Sequence, residues 1–243
     1  MGTLRNKILT LFFLSLAPSA RCQEPLEALH TWQAGAVVTE DAIAAFGGLD
    51  SCFLAQPIPD DVWTRMQGKT FRPNPHISRS NLRHVRALHI DGDRHIRIGE
   101  MICNQRIATT VAHILRQLYE SGYPIQSMLL PDVFDADDER QMRANNSSCF
   151  CYRTIAGSQR LSKHSLGLAI DINPLYNPHC LRRRDGTLVV HPSTGRPYAD
   201  RSRSFPYKIT RHDLCHRLFT RHHFAWGGAW RTSKDYQHFE FQE

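Results

Sequence analysis

The chain has no apolar stretch suited to crossing a bilayer. Its most apolar segment, Ile8 to Ala17, is well short of the ~20 residues a spanning helix needs. Internal repeats and low-complexity tracts are also missing, which excludes solenoid and fibrous architectures. Cys149-x-Cys151 has no partner pair downstream, so a four-cysteine metal knuckle is not indicated. The acidic run Asp135 to Asp138 lacks the alternating ligand spacing and central glycine of a calcium loop; charges at a helix start explain it better. No RNA- or DNA-reading signature accompanies the basic charge, and outside Arg182-Arg183-Arg184 the arginines are scattered.

What is present is ordinary globular material. The 243 residues are 41% hydrophobic and 22% charged, enough for one good-sized domain with a modest extension. A formal charge of +7 fits a solvated basic surface first, an anionic envelope polymer second and nucleic acid a poor third. At the start, Arg5 and Lys7 precede the apolar run and small residues follow at Ser19 and Ala20, the three-part layout of a secretory leader over residues 1–22. Removing it with Cys22 leaves Cys52, Cys103, Cys149, Cys151, Cys180 and Cys215. That even number leads us to expect disulfides in an oxidising compartment, with the pairing open.

Residues 23–75 read as an N-terminal extension without chemistry, carrying a short helix over Asp41 to Phe46 and punctuated by Pro57, Pro59, Pro73 and Pro75. The main domain is expected over 76–243. Val85, Ala87, Leu88 and Ile90 mark a strand ending in the turn Asp91-Gly92-Asp93, and Ile107 to Tyr119 has the apolar spacing of an amphipathic helix stopped at Ser121-Gly122. Ile125 to Leu130 has the composition of a buried strand. Short helices are expected after Asp135, through Arg143, and over His212 to Phe219. The region from Tyr176 to Tyr207, rich in Pro, Gly and Arg, reads as a long insertion near a site.

The stretch with chemical content is Ser162 to Pro174. His164 and Asp171 lie seven residues apart, and Leu168, Ile170 and Ile172 alternate with Ala169, Asp171 and Asn173 as in a strand with one buried face. Gly167 permits a tight turn between the histidine and the strand. An imidazole and a carboxylate held this way suit a borderline cation such as zinc. A third ligand is offered by Asp235-Tyr236-Gln237-His238-Phe239-Glu240-Phe241, where His238 stands out among 14 histidines by its acidic and apolar neighbours. His179, His191, His216, His222 and His223 are expected to remain unligated.

Ser162-x-His164-x-x-Gly167-x-Ala169-x-Asp171, followed by Asp235-x-x-His238-Phe239-Glu240, resembles the D-alanyl-D-alanine carboxypeptidase family of zinc peptidases, which includes D,D-dipeptidases and L-alanyl-D-glutamate endopeptidases. Ala144 to Arg153, His164 to Pro178 and Trp226-Gly227-Gly228-x-Trp230 resemble its carboxypeptidase-like branch, and the likeness runs from about Leu82 to Phe241.

The resemblance implies an α+β fold in which a small antiparallel sheet holds zinc in a cleft, with helices on its other face. It implies His164, Asp171 and His238 as ligands of one zinc ion and Asp235 as general base, with Glu240 in reserve or supporting a ligand histidine. Arg153, in preference to Arg143, would steady the oxyanion. Ser162 would bind substrate or cap the turn, and Trp230 and Trp226 would floor the cleft or sit in the core. The implied substrate is the stem peptide of bacterial peptidoglycan, cut by an exported, periplasmic or envelope-associated enzyme acting as a D,D-carboxypeptidase. A cell-wall endopeptidase and a non-catalytic zinc-containing wall-binding module are the alternatives. Neither nucleic acid nor a membrane span beyond the leader is expected, and oligomeric state is left open.

Overall fold

The computed structural model describes residues 20–155 and 158–242. The first 19 residues of the expected leader, and the side chain of Cys22, lie outside them. In chain order the regular elements are α1 (Ala20–His30), β1 (Val37–Val38), α2 (Glu40–Ala45), β2 (Leu54–Gln56), α3 (Asp60–Met66), β3 (Leu82–Ile90), β4 (Ile96–Asn104), α4 (Ala108–Glu120), α5 (Asp138–Arg143), β5 (Ala169–Asp171), β6 (His179–Arg182), β7 (Leu188–His191), α6 (Leu214–Arg221), β8 (Phe224–Trp226), β9 (Ser233–Asp235) and β10 (His238–Phe241).

The strands build three antiparallel sheets, in the orders β1-β4-β3-β2, β5-β10-β8 and β7-β6-β9. The first is a long hairpin closed by Asp91, whose carboxylate accepts the N–H groups of Asp93 and His95 at 2.9 Å each and pairs with Arg97. Strands β1 and β2, both from residues 23–75, pair with β4 and β3, so this segment supplies both flanks of the sheet.

The main core lies between the hairpin sheet and the β5-β10-β8 sheet. Val85, Met101 and Cys103 come from one side, Ile170 and Phe239 from the other, with Val111, Ile114 and Leu115 of α4 and Leu218 and Phe219 of α6 between them. The apolar spacing read from Ile107 onward is therefore a core stripe of α4. On β10, alternation sends Phe239 back onto Phe219, with ring centroids 4.6 Å apart, and leaves His238 and Glu240 on the opposite face.

Three sequence expectations need correction. Ile125 to Leu130 is buried in part but is not a strand. Its backbone is divided among amide side chains and scattered main-chain partners: the Gln126 N–H donates to Asn173 Oδ1 at 3.0 Å, the Leu129 N–H to Asn146 Oδ1 at 2.8 Å, and Asn146 Nδ2 to the Leu129 carbonyl at 2.9 Å, while the Ile125 N–H donates to the Ile90 carbonyl and the Met128 carbonyl accepts from the Glu100 N–H. The insertion 176–207 is not one long loop, because β6 and β7 form a hairpin within it. The six cysteines are free thiols, all buried, rather than disulfides. Cys52 packs in the α1–α2 cluster, while Cys103, Cys149 and Cys215 fill the main core as small apolar groups.

Candidate metal centre

His164 sits in a single 3-10 turn, Lys163–Leu166. The Ser162 hydroxyl caps it, accepting the His164 N–H at 3.2 Å, which gives that serine the capping role. Gly167 ends the turn at φ 65°, and a Cβ there would stand 2.7 Å from the Asn104 nitrogen, so both conformation and space require glycine. Four residues on, β5 brings Asp171 opposite His238 of β10 in the strand register.

The three side chains converge. His164 Nε2 lies 3.2 Å from His238 Nδ1 and 3.3 Å from Asp171 Oδ2, and His238 Nδ1 lies 3.1 Å from Asp171 Oδ1. A zinc tetrahedron with arms of roughly 2.0–2.1 Å has edges of about 3.3–3.4 Å, so the two ring nitrogens are spaced as such an edge, and the Asp171 carboxylate turns one oxygen to each of them. Their outward nitrogens are already used. His164 Nδ1 is 2.6 Å from the Cys149 carbonyl and His238 Nε2 is 3.4 Å from Glu240 Oε2, which directs Nε2 of one ring and Nδ1 of the other to the common point. Glu240 thus supports a ligand histidine.

Electrostatics agree with this assignment. Burial opposes charge on Asp171, yet His164 and His238 hold its carboxyl far below the usual range. Burial also opposes charge on His238, but its contacts with Asp171 and Glu240 push the imidazole up to about 10. The cluster favours positive charge at its centre, and a divalent cation supplies it. Among the described residues, Asp91, Asp93 and His95 also lie close enough to hold an ion. There Arg97 and two backbone N–H groups already occupy the Asp91 carboxylate.

A cavity of about 700 Å³ opens over the triad, lined among others by Arg153, Ser162, Trp230 and Asp235. Asp235, at the end of β9, has an Oδ1 that is buried without a hydrogen-bond partner. Burial, reinforced by Asp171, raises its carboxyl to about 7 despite the opposing pull of His238. The Arg153 guanidinium reaches the cavity while pairing with Asp138 of α5 at 2.6 Å. Arg143 instead pairs with Glu139 and donates to Ser193 outside the lining. The Trp230 ring lies 5.3 Å from that of His238, whereas Trp226 is buried and donates to the Tyr236 carbonyl at 2.9 Å.

Sequence reading missed Asp138, taken only as a helix-start charge, and the position of His179, which lines the cavity without joining the triad. It also missed the packing role of Gly227. A Cβ there would meet the Asp235 carbonyl oxygen at 2.7 Å and the His238 Cβ at 3.3 Å. The Gly-Gly pair within an aromatic segment was the available signal for such a close approach.

Residues 156–241 match the model of a family described as D-alanyl-D-alanine carboxypeptidase. The matched segment contains His164, Asp171, Asp235 and His238 together. No curated protein and no solved structure matches the chain.

Proposed function

We propose that this protein, whose residues 156–241 match the model of a family described as D-alanyl-D-alanine carboxypeptidase, is an exported zinc-dependent peptidase of bacterial wall stem peptides. Its most fitting activity is D,D-carboxypeptidase, releasing a terminal D-alanine. The observation that carries the reading is the His164–Asp171–His238 triangle, with edges of 3.1–3.3 Å, beneath a cavity that also receives Asp235. Support for export comes from the leader-like layout of Arg5 to Ala20.

His164, Asp171 and His238 would hold the zinc ion. When bound, zinc supplies Lewis acidity and brings the pKa of water to about 7, with one coordination position open beyond the three protein ligands. Asp235 lies outside the triangle with an unpartnered oxygen, so it is free to take the proton of the attacking water and carry it to the leaving amine. A carboxyl poised near 7 suits both halves of that transfer. Arg153, oriented by Asp138, offers positive charge where the carbonyl oxygen becomes an oxyanion. Cys149 and Glu240 hold the ligand rings in place, and Trp230 shields the His238 side from water.

The test is metal analysis of the purified protein, joined to mass spectrometry of products from defined stem peptides. One zinc per chain and release of free D-alanine from a peptide ending in D-alanyl-D-alanine are expected. A metal-free protein that leaves every stem peptide intact would refute the reading.

A further inference from the structure

His179 lines the cavity, and the chemistry above leaves its placement without a purpose. It begins β6, where its Cα pairs with that of His191 on β7 and with that of Asp235 on β9. Residues directly opposite across neighbouring strands project from the same face of a sheet. His191, His179 and Asp235 therefore form a row across three strands, and all three line the cavity.

Within that row His191 has a carboxylate nearby, whereas the His179 ring meets only another imidazole. His191 lies 3.9 Å from Glu139 and stacks on His179, with ring centroids 6.2 Å apart and planes at 24°. The ring nitrogens of His179 make no hydrogen bond among the described residues. Its ring is thus backed on one side by a second imidazole, half-buried, and left with an N–H donor for whatever enters the cavity.

Resting on the peptidase reading above, we propose that His179 contacts the substrate at the free carboxylate of its C-terminal residue and so selects peptides that end at the residue being released. Asp235 delivers its proton to the leaving amine, so the released residue must lie against the Asp235 end of the row. Its carboxyl carbon is roughly 2.5 Å from that amine by N–Cα–C geometry. The next position along the row is one strand away, ~4.8 Å. A donor on that strand meets a carboxylate there, whereas a longer peptide would have to pass through the His179–His191 pair. Three other cations line the cavity, Arg153, Arg160 and Lys163; none of them lies on the Asp235–His179 row, and Arg153 is already paired with Asp138.

The experiment uses the full chain loaded with zinc and two synthetic stem peptides ending in D-alanyl-D-alanine, one a free acid and one a C-terminal amide. The wild type is expected to favour the acid. His179→Ala should raise KM for the acid ~10-fold or more, the scale of one lost hydrogen bond to a charged group, with kcat within about threefold. Turnover of the amide should be unchanged. His179→Gln, which keeps a donor, should recover part of the preference. Zinc content and thermal unfolding of both variants should match the wild type, which separates a lost contact from a lost fold. If the acid and the amide are affected equally, or neither moves, the assignment is wrong although the peptidase reading survives. If the wild type cleaves neither peptide, both fall together.

Discussion

The backbone of Gly227 lies directly against Asp235: a Cβ at Gly227 would stand 2.9 Å from the Asp235 Cβ and 2.7 Å from its carbonyl oxygen. Neither atom belongs to a flexible side-chain end, so the strand must move to admit even a methyl group. Gly227→Ala should cost about 1–3 kcal/mol of stability through overpacking. It should reduce kcat/KM far more than that loss suggests, by ~10²-fold if the carboxylate moves about 1 Å. Thermal unfolding and steady-state kinetics on one preparation separate the two effects, and an unaltered kcat/KM would contradict the placement.

Removing a metal ligand and removing its support should have different consequences. His164→Ala or Asp171→Ala should abolish zinc retention and turnover together. Glu240→Gln keeps all three ligands and disturbs only the partner of His238 Nε2, so zinc affinity should fall by ~10–100-fold without being lost. Competition with a chelator, read by metal analysis, distinguishes these outcomes.

Arg153 and Asp138 form a pair 2.6 Å apart at the cavity wall. Arg153→Ala should lower kcat by ~10²-fold or more while leaving zinc content intact, as expected for a group acting on the oxyanion. Asp138→Asn should give a smaller loss, because the guanidinium remains but is less firmly held. Equal losses in KM alone would assign the pair to ground-state binding instead.

His89 provides a pH test away from the metal. Its ring is buried, with Nδ1 2.7 Å from the Ile125 carbonyl, and burial pulls its pKa from 6.5 down to about 4 despite that hydrogen bond. A folded-state pKa below the unfolded one contributes stability that is complete above the unfolded value and is lost as pH falls. The window here runs from about 6.5 to 4, with a full amplitude of about 3 kcal/mol. Denaturant unfolding of the wild type should weaken across that window, and His89→Gln should remove that part of the slope.

Alternation was readable from Leu168 to Asn173 because the large apolar side chains fall on one face, leaving Asp171 on the other, where it meets the cavity. It failed where both faces are covered. The central strand Ile96–Asn104 buries six consecutive residues from Ile98 to Cys103, including Gly99 and Glu100, so no period of two survives. Ile125 to Leu130 has strand composition, but its hydrogen bonds are divided among the amides of Asn146 and Asn173 and single main-chain partners such as Ile90 and Glu100, and nothing local announces that. The cysteines show a similar limit: their even number describes composition, whereas in the fold all six are buried thiols. His238 was legible by its acidic and apolar neighbours, and Asp235 by the family resemblance. Gly227 and His179 were not, because their importance comes from a backbone contact and from a pairing with strands distant in sequence.

The two short strands of residues 23–75 have a consequence for behaviour at high concentration. Between them lies a hairpin whose strands each span nine residues, and the partners flanking it are only two and three residues long. Long bare edges are templates for pairing with another chain, and brief flanking strands are one way natural sheets blunt them. The N-terminal segment therefore acts as a guard against self-association. A shortened chain beginning near Pro75 would keep every candidate metal ligand and yet bare the β3 edge at His84 to Arg86 and the β4 edge at Ile96 to Ile98, failing by aggregation before it failed in chemistry.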